Sequence, residues 1–159
     1  MIKAFTWVGN TGKSYCIEKE SWIKYKEIAR EYLHLFWDDM TPVQKIILDA
    51  EKDRIYDLLT YTGTEDIIID RTFTDNLVYT YYNMIKWKFK WEFDFGELAE
   101  YIQQSYELYD EVVLFTEPLK IDKRYNDPKL NELMISTIKT VYWDKVKVYK
   151  NSKDYLDNK

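Results

Sequence analysis

Apolar residues fall into two periods along this chain. Short β-branched or aromatic runs stand at 2–8 (IKAFTWV), 66–70 (DIIID) and 111–116 (EVVLFT), and alternating runs at 22–26 (WIKYK) and 145–150 (KVKVYK). The continuous runs fit strands covered on both faces of a parallel sheet; the alternating ones fit half-buried strands, with a continuing helix as the rival reading at 22–26. Between them the spacing turns helical: from Lys13, over 28–37, over 42–59, from Thr74, over 96–109, and again after Asn126-Asp127-Pro128. Thr41-Pro42 is a cap followed by proline at the first helical position. The segment after 150 is polar and is read as a tail. Strands separated by helices of about 10–20 residues predict βα units. The expected fold class is therefore α/β, with three layers around a mostly parallel five-stranded sheet, in one domain over 1–159.

Composition narrows the setting. Of 159 residues, 46% are hydrophobic and 18% aromatic, ample for a core. The net charge of −5 argues against a general nucleic-acid binder. A lone cysteine, Cys16, permits no internal disulfide and suits a reducing compartment. No apolar stretch reaches the roughly 20 residues of a membrane span, and the N-terminus lacks the pattern of a signal peptide. A cytoplasmic protein with no membrane partner is expected. Only four arginines occur, Arg30, Arg54, Arg71 and Arg124, so each is a candidate for a place that needs a fork of donors.

The first candidate chemistry is WVGNTGKS at 7–14, between the first strand and the first helix. In that setting backbone N–H groups converge on an anion. Gly9, Asn10, Thr11, Gly12, Lys13, Ser14 and Tyr15 form the expected nucleotide-binding segment. Gly12 allows close approach, Lys13 reaches the β- and γ-phosphates, and the Ser14 hydroxyl ligates Mg²⁺. Trp7 stands where the full pattern has glycine. A second anchor is Asp70-Arg71 at the tip of the strand 66–70, because ligands gather at the carboxyl ends of parallel strands. Asp70 is a candidate Mg²⁺ ligand and catalytic residue; Arg71 is a candidate grip on an acceptor or a phosphate. The third anchor is Glu27, at the tip of the strand 22–26, with Arg30 three residues on as a candidate, like Glu27 and Arg71, for binding the acceptor. A carboxylate there can take the proton of an acceptor hydroxyl.

KEIAREYL, the helix 42–59 and DIIIDRTFTDNLVYTYY together resemble the small P-loop kinases related to the nicotinamide riboside kinase domain, a pattern shared with phage-encoded nucleoside and nucleotide kinases. The similarity runs from Ile2 to about Val148. The resemblance implies ATP and Mg²⁺ as cofactors, Glu27 as base, Asp70-Arg71 as the acidic–basic pair, and a lid over about 117–128 whose Arg124 reaches the transferring phosphate. It leaves Arg54 aside, as a surface residue or ion-pair partner. In related folds adenine packs after the last strand, here near Asp154 and Tyr155.

Other features are read more plainly. KWKFKWEFDF at 86–95 interleaves lysines with aromatics, a pattern that can track single-stranded DNA but fits a core or homodimer surface better. One aromatic there, or Tyr79, Tyr81 or Tyr82, is a candidate for stacking on an acceptor base. His34 has no companion ligand and is read as packing, as is Cys16; Asp38-Asp39 is read as a helix end or cap. Three functions fit: a phosphotransferase acting on a nucleoside- or nucleotide-type acceptor, a kinase of a hydroxyl in DNA, and a non-catalytic nucleotide-binding regulator, the last prompted by Trp7.

Overall fold

A computed structural model describes residues 1–7, 11–32, 40–87, 94–119 and 127–159. Five strands form one sheet: β1 (Ile2–Trp7), β2 (Ile23–Tyr25), β3 (Ile67–Asp70), β4 (Glu111–Phe115) and β5 (Val146–Tyr149). Their order is β2-β3-β1-β4-β5, and every pairing is parallel. All five strands stand where the apolar pattern puts them, and 22–26 is a strand rather than a helix.

Side-chain alternation sorts the core into two layers. On one face Ala4, Ile67, Ile69, Val112 and Leu114 pack against α3 (Met40–Leu59), α4 (Phe73–Trp87), α5 (Phe95–Leu108) and α6 (Pro128–Val141). On the other, Phe5, Trp7, Ile68, Val113 and Phe115 meet α1 (Lys13–Lys19) and α7 (Ser152–Asn158). The short α2 (Ala29–Tyr32) contributes Ala29 to a small cluster with Val43 and Ile47 of α3. The edge strands β2 and β5 are the least buried, and each carries an outward lysine, Lys24 and Lys147, which discourages edge-to-edge pairing.

Caps set the helix starts. Asp127 accepts from the Leu130 amide at 3.2 Å ahead of Pro128, and Asp94 accepts from the Glu97 amide at 3.0 Å. The tail expected after β5 is instead the helix α7, opened by Asn151, whose side chain accepts from the Lys153 and Asp154 amides. Tyr155 is its largest anchor in the core. Tyr155 is buried edge-on against Phe5, Phe115 and Tyr149, with ring centres 5.1–5.9 Å away. The Tyr155 ring is thereby part of the core, 2% exposed. Tyr155→Ala is expected to lower the unfolding free energy by about 3 kcal/mol or more, readable as a shift of the urea midpoint.

No helix among the described residues is long and apolar enough to cross a membrane. His34, Asp38 and Asp39, and the stretch 88–93 of KWKFKWEFDF, lie outside the described residues.

Candidate active site

The carboxyl ends of β1, β2 and β3 converge, and the candidate chemistry gathers there. Gly12 caps α1 in the left-handed region, φ 79°, and no side chain caps the helix start in its place. A Cβ on Gly12 would lie 2.8 Å from Leu119 Cδ1 and 2.9 Å from Ser152 Cβ, so glycine is required by packing as well as by φ. The start of α7 is pinned to the loop, with the Ser152 amide donating to the Thr11 carbonyl at 2.9 Å. Thr11 is buried and its Oγ1 has no hydrogen-bond partner among the described residues. Gly9 and Asn10 lie outside those residues.

Lys13 is 2% exposed and donates to the Asp70 carboxylate. Burial pulls its ammonium down from 10.5 to about 8, against the opposing pull of Asp70. An arriving polyanion would reverse that effect, because negative charge beside a buried ammonium favours its protonated form. Trp7 forms one wall of this arrangement. Its ring centre lies 3.5 Å from Lys13 Nζ and 3.5 Å from Arg71 Cζ, so one indole supports both cations. Ser14 and Tyr15 are exposed at the start of α1. A cavity of about 350 Å³ brings Ser14 and Asp70 together with Glu27 and Arg30.

Arg71 has φ 78°, unusual for a residue with a Cβ, and its amide donates to the Phe5 carbonyl at 2.9 Å. Strained backbone of this kind costs about 1–3 kcal/mol and collects at functional sites. Here it turns the guanidinium inward. Nε donates to Glu27 Oε1 at 2.6 Å, Nη1 stands 3.8 Å from Asp75, and the Tyr79 ring centre is 4.9 Å away. Burial raises the Glu27 pKa, but the charges of Arg71 and Lys13 outweigh it and the net shift is downward from 4.5. Glu27 is therefore ionised at neutral pH. Its Oε2 is paired with Arg30 Nε at 2.9 Å without hydrogen-bond geometry. Arg71 Nη1 likewise has no hydrogen-bond partner among the described residues. Glu27 and Arg71 both line a second cavity, of about 220 Å³, walled by Gln44, Asn76, Tyr79 and Asn83. Glu27 thus stands between two spaces, one with Ser14 and Asp70, the other with carboxamides and a tyrosine.

Lys13, Ser14, Glu27, Arg30, Asp70 and Arg71 are therefore gathered at one sheet edge. Arg124 and the segment 120–126 lie outside the described residues. Of the tyrosines considered for stacking, Tyr79 lines the second cavity, whereas Tyr82 donates to Asp127 and Tyr81 lines an apolar groove elsewhere. Sequence reasoning missed the layer beneath. Arg54 is not at the surface: it is 7% exposed, paired with Glu51 at 2.6 Å, and reaches the Lys26 carbonyl at 3.0 Å. Asp75 is fully buried and accepts from Thr6 and from the Thr72 amide and hydroxyl. Gln44 is fixed by Thr80, whose hydroxyl donates to its Oε1 at 2.8 Å. The available signal was polar Gln44 and Glu51 interrupting the apolar stripe of α3.

Comparison with solved structures defines the fold as that of P-loop kinases. Two structures of deoxyadenosine kinase from M. mycoides, one with dATP and one with products dCMP and a flexible dCDP, match with TM-score 0.58 at 18% identity. The match covers 93% of this chain and 90% and 89% of theirs. No protein-family model matches the sequence, and neither does any curated protein. The kinase fold implied by the motifs is thereby found; the matching structures named here are deoxyadenosine kinases rather than nicotinamide riboside kinases.

Proposed function

We propose that the chain transfers the γ-phosphoryl group of ATP to a hydroxyl of a nucleoside-type acceptor. The observation that carries this reading is that Glu27 and Arg71, a carboxylate and a guanidinium bonded to each other, both line one cavity, each with a buried atom that lacks a hydrogen-bond partner among the described residues. Buried polar groups ordinarily find partners. A sugar hydroxyl offers both halves, giving its proton to Glu27 and accepting from Arg71.

The donor side follows from the loop. Gly9, Asn10, Thr11, Gly12 and Tyr15 belong to the segment that would wrap the triphosphate, and Lys13 would exchange Asp70 for its β- and γ-phosphates. Ser14 and Asp70 line one cavity, a donor set that suits Mg²⁺, which takes one or two protein oxygens alongside phosphate and water. When bound, Mg²⁺ supplies charge neutralisation on the phosphates. Glu27 orients and deprotonates the hydroxyl, Arg71 holds it, and Arg30 balances Glu27 from the solvent side. Arg124, in a lid over about 117–128 of this single domain, would bring a further positive charge to the transferring group and exclude water on closure.

Gln44, Asn76 and Asn83 line the cavity shared by Glu27 and Arg71 with carboxamides. Asn76 Nδ2 is held by Glu51 and Gln44 Oε1 by Thr80, leaving the remaining amide groups to meet the edge of a base, with Tyr79 on the same wall to stack. Gln44→Leu is expected to raise the acceptor KM about 10- to 100-fold while the KM for ATP stays near its original value, as steady-state kinetics would record. The class itself is tested by a screen with γ-labelled ATP over deoxynucleosides, ribonucleosides, nucleotides, nicotinamide riboside and single-stranded DNA. Label on a free nucleoside supports the reading. Label on DNA or on nucleotides only, or ATP binding with no transfer to any acceptor, would replace it.

A further inference from the structure

The ladder between β2 and β3 ends at Tyr25 and Ile69, two positions before Glu27 and Arg71 respectively. Past that point β2 and β3 are not paired with each other among the described residues, while Arg71 stays tied to β1 through the Phe5 carbonyl. Arg54 spans the gap from beneath. Its Nη1 donates to the Lys26 carbonyl at 3.0 Å, and its Nη2 lies 3.4 Å from the Arg71 carbonyl. The same Nη2 donates to both Glu51 oxygens, at 2.6 and 2.7 Å, and Asn76 holds Glu51 in turn at 2.7 Å. Arg54 is 7% exposed and Glu51 is fully buried.

We propose that Arg54 is a positioning residue: by bridging the Lys26 and Arg71 carbonyls it sets the distance between the Glu27 carboxylate and the Arg71 guanidinium. Three features point to this role rather than to stability alone. A buried ion pair is a weak stabiliser, because desolvating two charges offsets most of their attraction. The planar fork delivers two nitrogens to separate backbone targets, which a lysine cannot reproduce. One of those targets is the strained left-handed residue that aims the second half of the site.

The proposal rests on Glu27 and Arg71 being the acceptor site, and the experiment separates the two. Arg54→Lys keeps a positive charge for Glu51 and is expected to fold. Its kcat for nucleoside phosphorylation should fall roughly 10- to 100-fold, since a misplacement of about 1 Å can cost that much, with the KM for ATP unchanged. Arg54→Met strands the Glu51 charge and should also lose thermal stability. Glu51→Gln/Arg54→Met removes both charges while keeping an oxygen for Asn76, so Tm should recover and kcat should not. Recovery of kcat together with Tm, or wild-type kcat in folded Arg54→Lys, would overturn the proposal. Were the acceptor site itself misassigned, Glu27→Gln would retain turnover in the same assay; failure of the Arg54 role alone leaves that loss in place.

Discussion

Lys13→Ala is expected to lower turnover with ATP by at least about 100-fold, the usual consequence of removing a charge contact aimed at a transition state. Three placements make Lys13 the most consequential side chain at the site. It is 2% exposed at the carboxyl edge of β1, it is held by Asp70 of the neighbouring strand, and its ammonium lies against the Trp7 ring. Burying a cation in this way is costly unless an anion arrives. The Asp70 carboxylate meets that need in the free protein, and under the proposed function the β- and γ-phosphates would take over when nucleotide binds. Single-turnover rates measured beside circular dichroism would separate loss of chemistry from loss of fold. Retained turnover in a folded variant would remove Lys13 from the mechanism.

Glu27→Gln is expected to reduce kcat by about 10²- to 10⁴-fold, the range for a general base, with little change in nucleotide affinity. An equal loss in kcat and in ATP binding would make Glu27 a binding residue instead. The pH profile gives an independent reading. The base must be ionised to accept a proton, and Glu27 is held below 4.5 because Arg71 and Lys13 outweigh the opposing effect of burial. The acid limb of kcat/KM, which reports the free protein, should therefore lie below about pH 4.5, leaving kcat/KM flat from there toward neutrality. In Arg71→Met the burial effect loses its main opponent, so the limb should move to higher pH. A limb that stays in place would assign it to another group.

The site was legible in the sequence where chemistry coincides with a strand end. GNTGKS following IKAFTWV, and DR following DIII, locate two strand tips by hydrophobic pattern alone, and parallel topology brings those tips together. Glu27 was placed beside those tips for the same reason once 22–26 was read as a strand, and the structure puts it next to Arg71. Arg54, expected as a surface residue or ion-pair partner, is an ion-pair partner, of Glu51, but its burial was not legible, because a polar residue inside a helix looks solvated. Only the tertiary fold reveals that Glu51, Arg54, Asp75 and Asn76 form a polar layer under the site. The helix α7 escaped for the converse reason: one tyrosine and one leucine anchor it, too few for a periodic signal. Trp7 looked like a departure from the loop pattern. In the structure it is a largely buried ring between sheet and site that contacts Lys13 and Arg71 at once.

The most direct measurement is a crystal structure with a non-hydrolysable ATP analogue, Mg²⁺ and a deoxynucleoside. The account predicts the terminal phosphates against Lys13 and the Gly12 backbone, and the sugar hydroxyl within about 2.6–3.2 Å of Glu27. Phosphates bound away from the carboxyl ends of β1 and β3, or a nucleoside seated with Glu27 still confined to Arg30 and Arg71, would contradict it.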